Sequence, residues 1–285
     1  MKKILITGAN SYIGTSFEQY MKKYDGYEID TVDMIDGFWR EKDFSGYDIV
    51  FHVAGIAHAD IKNVSEETRK KYYAVNTDLT VETAKKAKKS GIRQFVFMSS
   101  MIVFGTKQDC IDKNTIPQPD NFYGDSKLQA DIGIHQLECE NFKVVSIRPP
   151  MIYGKGSKGN YPVLAKFAKA TPIFPKINNK RSMLYIENLC SFIKMIIDHE
   201  ENGYFYPQNT EYVNTSELVR AISRAVGKHI HLTGFFNPMI RAAKNNAYIR
   251  KIFGNRYYDM EMSNYNNFEY CVCDFNESVK RTESK

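Results

Sequence analysis

The sequence lacks the features that mark membrane-spanning, metal-binding and nucleic-acid-binding chains. It has no apolar run near the roughly 18 residues of a membrane span, and Met1-Lys2-Lys3 leads into an apolar strand pattern rather than a signal peptide. Its five cysteines show no metal-ligand spacing, and its net charge of +6 is spread along the chain rather than packed into a block. We therefore expect a cytoplasmic protein with no metal site, no nucleic-acid partner and no integral membrane association.

Strands and helices alternate through the first half of the chain. A length of 285 residues predicts two domains, or one large domain with an attached lobe. Because the predicted strands are almost continuously apolar, both faces of the sheet should be covered. The alternation predicts an α/β fold with a doubly wound parallel sheet of the Rossmann type. Strands are predicted at Lys3–Thr7, Glu28–Asp33, Asp48–Val53, Arg93–Ser99 and Lys143–Arg148, and helices at Ser11–Tyr24, Glu66–Ser90 and Tyr123–Cys139.

The pattern changes after Pro149-Pro150, where turn residues become frequent and the elements shorter. We predict a first domain over 1–150, to which 185–200 return, and a smaller C-terminal α/β lobe made of 151–184 and 201–285. Within that lobe the segment 235–258 is helical in pattern and basic. Two interpretations of this segment remain open: a solvated face of a lobe helix, or a surface that lies on an anionic membrane.

The loop between the first predicted strand and the first predicted helix has the form T-G-A-N-S-Y-I-G. Glycine is needed where a backbone turns sharply or approaches a pyrophosphate, as at Gly8 and Gly14. The amides of Tyr12 and Ile13, at the start of the helix, would face the phosphates. Ser11 stands where a middle glycine is usual. This arrangement favours the binding of a dinucleotide.

Asp33 ends the second predicted strand, 19 residues after Gly14. A carboxylate at this place accepts hydrogen bonds from a ribose 2′-hydroxyl and repels a 2′-phosphate. The next residues, Met34 and Ile35, supply no arginine that would offset the repulsion. The sequence therefore predicts NAD rather than NADP as the cofactor.

A serine at the end of the fourth predicted strand and a tyrosine–lysine pair form a candidate catalytic group. Tyr123 and Lys127 are four residues apart, so they lie on one face of a helix. A nearby ammonium favours phenolate over phenol, so Lys127 should lower the pKa of Tyr123. Such a tyrosine can take a proton from a sugar hydroxyl while hydride leaves the same carbon. Ser100 could hydrogen-bond the same oxygen.

Taken together, these motifs resemble the extended short-chain dehydrogenase/reductase family, in particular its nucleotide-sugar epimerase, dehydratase and 4-reductase branch. The resemblance implies an enzyme with an NAD-binding first domain and a substrate-binding lobe, of the kind that makes capsule or O-antigen sugars. Its motifs extend over nearly the whole chain. They are Thr7–Gly14, His52–Gly55, Val75–Thr77, Phe95–Gly105, Tyr123–Lys127, Arg148–Gly154 and Arg181–Leu189.

The resemblance also assigns roles to individual residues. Tyr123 would be the general base, Lys127 would bind the nicotinamide ribose, and Ser100 would orient the substrate. The pyrophosphate of a UDP-sugar, or of another nucleotide sugar, would be held by Asn160 and Arg181, because a planar guanidinium bonds phosphate oxygens in pairs. The further residues implied to contact the cofactor are Asp43, at the adenine, and Ala54, Gly55 and Asn76.

Two departures from the family pattern narrow the expected chemistry to carbon 4 of the sugar. Dehydratases of this branch have an Asp-Glu pair where Met101 and Ile102 stand, and epimerase-reductases have a cysteine at the position of Met101. The apolar side chains of Met101 and Ile102 cannot shuttle a proton. We expect a 4-epimerase of a UDP-hexose or UDP-N-acetylhexosamine, with a 4-reductase of a 4-keto-6-deoxy sugar as the alternative. A non-catalytic dinucleotide sensor is a third interpretation, although such sensors commonly lack the Tyr–Lys pair.

Two further expectations concern His58 and the oligomeric state. His58 follows the third predicted strand closely and could face the sugar. The helices Glu66–Ser90 and Tyr123–Cys139 each have an outward stripe that the sheet does not cover, and relatives pair through these helices. We therefore expect a homodimer.

Overall fold

The fold is taken from a computed structural model, which describes residues 1–57 and 64–284. His58 lies outside the described residues. The strands are β1 (Lys2–Thr7), β2 (Tyr27–Val32), β3 (Ile49–His52), β4 (Gln94–Met98), β5 (Cys110–Ile111), β6 (Lys143–Ile147), β7 (Met151–Tyr153), β8 (Ile173–Pro175), β9 (Met183–Tyr185), β10 (Gly203–Phe205), β11 (His231–Thr233) and β12 (Tyr257–Tyr258).

The α-helices follow the strands in the alternating order that the sequence predicts. They are α1 (Tyr12–Met21), α2 (Glu66–Tyr73), α3 (Leu79–Lys89), α4 (Phe122–His135), α5 (Asn160–Ala170), α6 (Ile186–Asp198), α7 (Thr215–Ala225), α8 (Asn237–Ala242), α9 (Ala247–Phe253), α10 (Met260–Ser263) and α11 (Phe275–Glu283). Short 3-10 helices occur at Phe38–Arg40, Met101–Phe104 and Asn266–Phe268. A π-helical turn, Ala74–Asp78, joins α2 to α3 within the predicted helix Glu66–Ser90.

Six parallel strands form the main sheet, in the order β10-β6-β4-β3-β1-β2. β2 lies on one side of β1 and β3 on the other, so the order of the strands reverses between β1 and β3. Ligands of such sheets bind at the carboxyl ends of the strands that flank this point, here at Thr7 and His52. The predicted α/β class with a parallel, Rossmann-like sheet is confirmed.

The core of this sheet explains why its central strands read as continuously apolar. Every residue of β3 and β4 is buried. On one face, Phe95 and the single tryptophan, Trp39, pack with small residues of two helices, among them Ala84 of α3 and Ala130 of α4. Small residues let the helices approach the sheet closely, and close packing makes the interior resist deformation. The strand ends that carry the predicted site residues are therefore held on a rigid support.

The chain divides into two compact units. The first consists of Met1–Thr106, Thr115–Pro149 and Cys190–Pro207, and the second of Lys107–Asn114, Pro150–Leu189 and Gln208–Lys285. These bounds differ from the predicted ones in four places: 107–114, 150 and 185–189 belong to the second unit, and 201–207 to the first. The last difference arises because β10, which pairs with β6, adds the sixth strand to the main sheet.

The second unit is built on short parallel ladders and several helices. The ladders pair β5 with β12, β7 with β9, and β8 with β11, and α5 and α11 both pack against α7. The segment 235–258, predicted as helical, contains two short helices and a strand, α8, α9 and β12. The helices are separate because Asn246 begins α9, where its side chain accepts a hydrogen bond from the Tyr248 amide.

Candidate active site

The loop after β1 can approach a ligand only because it carries glycine at position 8. Gly8 has a φ of +120°, and a Cβ there would lie 2.8 Å from the Ala54 nitrogen. An L side chain is therefore excluded by strain and by space. Ala54 is the second residue after β3, and its amide donates to the Thr7 carbonyl at 3.0 Å. Gly8 and Ala54 thus meet at the point where the order of the strands reverses.

Ser11 is the N-cap of α1, which explains a serine where such loops usually have glycine. Its Oγ accepts a hydrogen bond from the Gly14 amide at 3.2 Å. A Cβ on Gly14 would lie 2.7 Å from that Oγ, so the cap itself requires glycine at position 14. The amides of Tyr12 and Ile13 belong to the first turn, where a helix offers no internal acceptor. The start of α1 is therefore suited to an anionic group.

The two predicted adenosine contacts are exposed aspartates with local roles of their own. Asp33 follows β2 directly, and its carboxylate accepts from the Ile35 amide at 2.8 Å. Asp43 accepts from both the amide and the hydroxyl of Ser45, and these hydrogen bonds lower the pKa of Asp43. Both carboxylates are thus held in place by local hydrogen bonds, while their exposure leaves them open to a ligand.

Asn76 fastens the loop after β3 to the helices beside it. It is fully buried; its Oδ1 accepts from the Ile56 amide at 2.7 Å, and its Nδ2 donates to the Ile56 carbonyl and to Ser126 Oγ, both at 3.1 Å. It lies in the π-helical turn, a distortion often found at functional sites. A Cβ on Gly55 would lie 3.1 Å from Asn76 Oδ1 and 3.0 Å from Lys127 Nζ. Asn76 therefore positions Gly55 against Lys127.

The Ser100 hydroxyl lies close enough to Tyr123 to act on its pKa. Ser100 is held by a 3-10 turn, in which its Oγ accepts from the Ile102 amide. The Tyr123 ring packs edge-on against Tyr72 of α2, with ring centroids 6.1 Å apart. Removal from water raises the pKa of Tyr123 to about 12, and the Ser100 hydroxyl opposes this rise.

Lys127 has a different effect from the one expected. Its buried ammonium donates to the Met98 carbonyl at 3.0 Å and lies over the Phe97 ring, and burial lowers the pKa of Lys127 to about 8. The prediction that Lys127 lowers the pKa of Tyr123 is wrong for this structure, because burial dominates and Ser100 provides the opposing effect. Ser100, Tyr123, Lys127, Gly55 and Asn76 are nevertheless brought together at one edge of the sheet.

A buried acid that the sequence analysis missed lies beneath this group. Asp131 is fully buried and accepts from Ser99 Oγ and from Arg148 Nε, both at 2.9 Å. Its charge opposes the lowering of the Lys127 pKa. The signal was available in the spacing, because Asp131 follows Lys127 by four residues and so lies on the same face of α4.

In the second unit, Asn160 and Arg181 line one cavity of about 130 Å³. Asn160 is the first residue of α5. Arg181 is paired through the backbone with Arg256, a residue to which the sequence analysis gave no role in the site. Burial, and then repulsion by Arg256, lowers the pKa of Arg181 to about 10. Two adjacent guanidinium groups are suited to a doubly charged anion.

Within 1–57 and 64–284, no three His, Cys, Asp or Glu side chains come together as a metal site would require. In that same part of the chain, no helix is long and apolar enough to cross a membrane.

Comparisons with known proteins agree with this geometry. The model of the NAD dependent epimerase/dehydratase family matches residues 4–206. A UDP-glucose 4-epimerase of Vibrio cholerae is 32% identical over 254 residues, which cover 80% of this chain and 76% of the relative. An N-acetyl-α-D-glucosaminyl-diphospho-ditrans,octacis-undecaprenol 4-epimerase of Escherichia coli O157:H7 is 26% identical over 247 residues, covering 80% and 73%.

A solved structure extends the likeness to the whole chain. It is a UDP-glucuronic acid 4-epimerase from Bacillus cereus in complex with NAD, with a TM-score of 0.76 and 16% identity over 99% of this chain and 95% of that one. At this identity the likeness shows the fold alone. The family model covers well over half of the chain, so the protein belongs to the NAD dependent epimerase/dehydratase family.

Proposed function

We propose that the protein is an NAD-dependent 4-epimerase of a UDP-hexose or UDP-N-acetylhexosamine. The observation that carries the proposal is the group of Ser100, Tyr123 and Lys127 at the carboxyl edge of the parallel sheet. The Vibrio cholerae relative, whose described activity is that of a UDP-glucose 4-epimerase, supports the choice of reaction. The Met101–Ile102 pair, which cannot shuttle protons, argues against a dehydratase.

The first unit fits NAD by its own features. The backbone space beside Gly8, which a Cβ would fill, and the first-turn amides of α1 suit the pyrophosphate. The exposed Asp33 carboxylate at the end of β2 suits a ribose 2′-hydroxyl. When bound there, NAD supplies the site that accepts hydride from carbon 4 and returns it.

Residues of the chain itself transfer the proton and position the sugar. Tyr123 takes the proton from the carbon-4 hydroxyl, and Ser100 stabilises the resulting phenolate with its hydroxyl. After the 4-keto sugar turns its other face, the same tyrosine returns the proton. Because the proton is taken and returned, the reaction needs one acid–base residue. Lys127 holds the charge of the site at neutral pH.

The second unit supplies the residues for the substrate diphosphate. Arg181 is paired through its backbone with Arg256, and burial and repulsion by Arg256 act on its guanidinium. A bound diphosphate would relieve this repulsion, and each arginine could bond two of its oxygens. Asn160, at the start of α5 in the same cavity, adds an amide donor.

A 4-reductase of a 4-keto sugar nucleotide is the second candidate, and the protonation of Tyr123 favours it. With a pKa of about 12, Tyr123 is a neutral phenol at pH 7. Ketone reduction needs a proton donor at its first step, whereas epimerisation needs a proton acceptor first. The resting site is therefore in the state that a reductase requires.

One experiment separates the two candidates. The protein is incubated with NAD and UDP-glucose or UDP-N-acetylglucosamine, and separately with NADH and a 4-keto sugar nucleotide. An epimerase yields the 4-epimer by NMR without net NADH consumption, and a reductase consumes NADH in proportion to the ketone. Absence of both reactions, with NAD binding retained, would favour the sensor and contradict the proposal.

We also propose a homodimer built from the 66–90 and 123–139 helices of each subunit. Ile132, on α4, is 45% exposed although it is large and apolar, which supports an interface on this face. Light scattering should give twice the 32.9 kDa chain mass. A monomer at micromolar concentration would contradict the interface.

A further inference from the structure

The surface of α8 and α9 combines positive charge with exposed apolar side chains. Phe235 is 82% exposed and Met239 65% exposed. Arg241 and Lys244, which follow on the same segment, are also exposed. Large apolar groups that stay in water next to cations are typical of a surface that meets another surface.

The charge of the chain is less evenly spread than expected. Residues 218–258 contain eight Lys and Arg and no Asp or Glu. Since the whole chain has 39 basic and 33 acidic residues, the remainder has 31 against 33 and is slightly negative. The entire positive excess therefore lies in the stretch that contains α8 and α9. Clusters of four to eight basic residues on such a segment favour anionic lipid.

This surface is continuous with the cavity lined by Asn160 and Arg181, which is proposed to bind the substrate diphosphate. Tyr248 and Lys251 of α9 line the same cavity as Arg181, and Tyr248 is 62% exposed. The turn between the helices is short, since the Asn246 amide donates to the Ala243 carbonyl at 2.9 Å. The segment that carries the exposed groups, 235–244, therefore leads directly into α9, which forms part of the cavity wall.

We propose that Phe235, Met239, Arg241 and Lys244 form a peripheral docking site for membranes that contain anionic lipid. Phe235 and Met239 insert at the level of the headgroups, and the two cations pair with lipid phosphates. The docking site does not rest on the proposed function of the Arg181 cavity.

Vesicle co-sedimentation of the full chain tests the docking site. Binding is measured on vesicles of phosphatidylcholine alone and of phosphatidylcholine mixed with phosphatidylglycerol, at low and high salt. We expect binding only to the mixed vesicles, weakened by salt. The double variant Arg241→Gln/Lys244→Gln should lower the affinity about tenfold or more. The control Lys22→Gln/Lys107→Gln, which removes two exposed charges elsewhere, should leave it unchanged.

The apolar half of the site is tested separately. Phe235→Ser should weaken binding to the mixed vesicles, whereas Ile116→Ser, at a position that is 80% exposed in the first unit, should not. All variants should keep the wild-type thermal midpoint and the wild-type rate on soluble UDP-sugar. Equal vesicle binding by the docking variants and their controls would overturn the docking site.

The arms of the experiment keep the two proposals apart. If the wild-type chain does not bind the mixed vesicles but turns over soluble UDP-sugar, docking alone is overturned. Vesicle binding without any turnover overturns the 4-epimerase and supports docking. Self-association of the lipid-free protein that Phe235→Ser abolishes, with no vesicle binding, would assign the surface to a second copy and overturn the proposal.

Discussion

Arg148 in the first unit and Arg181 in the second are both withdrawn from water, yet their surroundings are opposite. Arg148 donates to the buried Asp131 and lies 4.2 Å from the centre of the Tyr204 ring. Arg181 lies beside a second arginine and donates to the Gly254 carbonyl. A buried cation with a carboxylate partner is satisfied by the protein itself, whereas one that faces a like charge calls for an anion from outside.

The same contrast separates the two units as a whole. The group around Tyr123 is tied together by hydrogen bonds within the first unit, as chemistry at one carbon atom requires. The cavity of the second unit is lined by two cationic side chains, Arg181 and Lys251, which suit the diphosphate proposed for it. Substitutions in the first unit should therefore change turnover or stability, and substitutions in the second should change substrate affinity.

The largest effect should follow from Tyr123→Phe, which removes the proton carrier and keeps the ring. Turnover should fall about 10²–10⁴-fold, while NAD binding stays close to the wild type. Both are measured with purified protein, by product formation and by NAD titration. Tyr72→Phe is the control: it removes the hydroxyl of the neighbouring ring that contacts Tyr123, and it should keep most of the activity. A Tyr123→Phe variant with more than half the wild-type rate would remove Tyr123 from the mechanism.

Breaking the Arg148 pair should reduce stability. Asp131→Asn leaves a buried guanidinium without its countercharge, so the free energy of unfolding should fall by about 3–5 kcal/mol. Denaturant unfolding measures the loss. Glu82→Gln breaks the exposed pair with Arg40 and should cost less than about 1 kcal/mol. Equal losses in the two variants would show that burial does not distinguish these pairs.

Unlike Asp131→Asn, Arg181→Gln should weaken substrate binding without reducing stability. It removes one of two repelling charges, so the free energy of unfolding should be unchanged or higher. KM for the sugar nucleotide should rise about 10- to 100-fold, because a charged hydrogen bond to phosphate is lost. Arg224→Gln, at an exposed site on α7, is the control. A stability loss as large as that of Asp131→Asn would contradict the comparison.

The pH dependence should sharpen the contrast within the first unit. Burial lowers the pKa of Lys127 from 10.5 to about 8, so its ammonium is lost as the pH rises through about 8. Because the phenolate form of Tyr123, whose pKa is about 12, gains about tenfold per pH unit, kcat/KM of the epimerase should rise up to about pH 8 and level off above it. The free energy of unfolding should rise with pH between 8 and 10.5, because the cost of burying the ammonium is relieved there. Lys127→Arg, which stays charged, should remove the levelling, so that its residual activity continues to rise above pH 8.

The smallest effect is expected at Asp33. Asp33→Ser removes the repulsion of a 2′-phosphate, so the preference for NAD over NADP should narrow by about tenfold, or about 1.4 kcal/mol. Dissociation constants for the two cofactors provide the measurement. Asp36→Ser, which removes another exposed carboxylate of the same loop, should leave the preference as it is. A wild-type preference for NADP would contradict the interpretation of Asp33.

The parts that sequence reasoning predicted well depend on local patterns. Strands such as β3 and β4 are recognisable because burial on both faces makes every position apolar. The loop of Gly8 and Gly14 is recognisable by the spacing of its glycines, although the contact that excludes a side chain at Gly8 is with Ala54, after β3. The family motifs added the remaining candidate residues of the site.

The parts that were missed depend on contacts between distant positions. Arg256 lies beside Arg181 only because a ladder of the second unit pairs them across 75 residues. β10 is three residues long and has no pattern of its own, so only its pairing with β6 defines it. The pKa of Tyr123 was predicted from the neighbouring lysine, whereas its burial, which spacing does not report, has the larger effect.

The π-helical turn at Ala74–Asp78 makes this part of the chain intolerant of a one-residue deletion. Such a turn contains one residue more than an α-helix would over the same rise. The side chains of α2 are therefore rotated about the helix axis by about 100° relative to those of α3. Deleting a single residue there would restore an unbroken helix and its regular hydrogen bonds. It would also rotate Tyr72 away from the Tyr123 ring and move Asn76 off the Ile56 backbone. A regular helix here would disrupt the contacts of Tyr72 and Asn76, so the extra residue of the π-helical turn is required by the site.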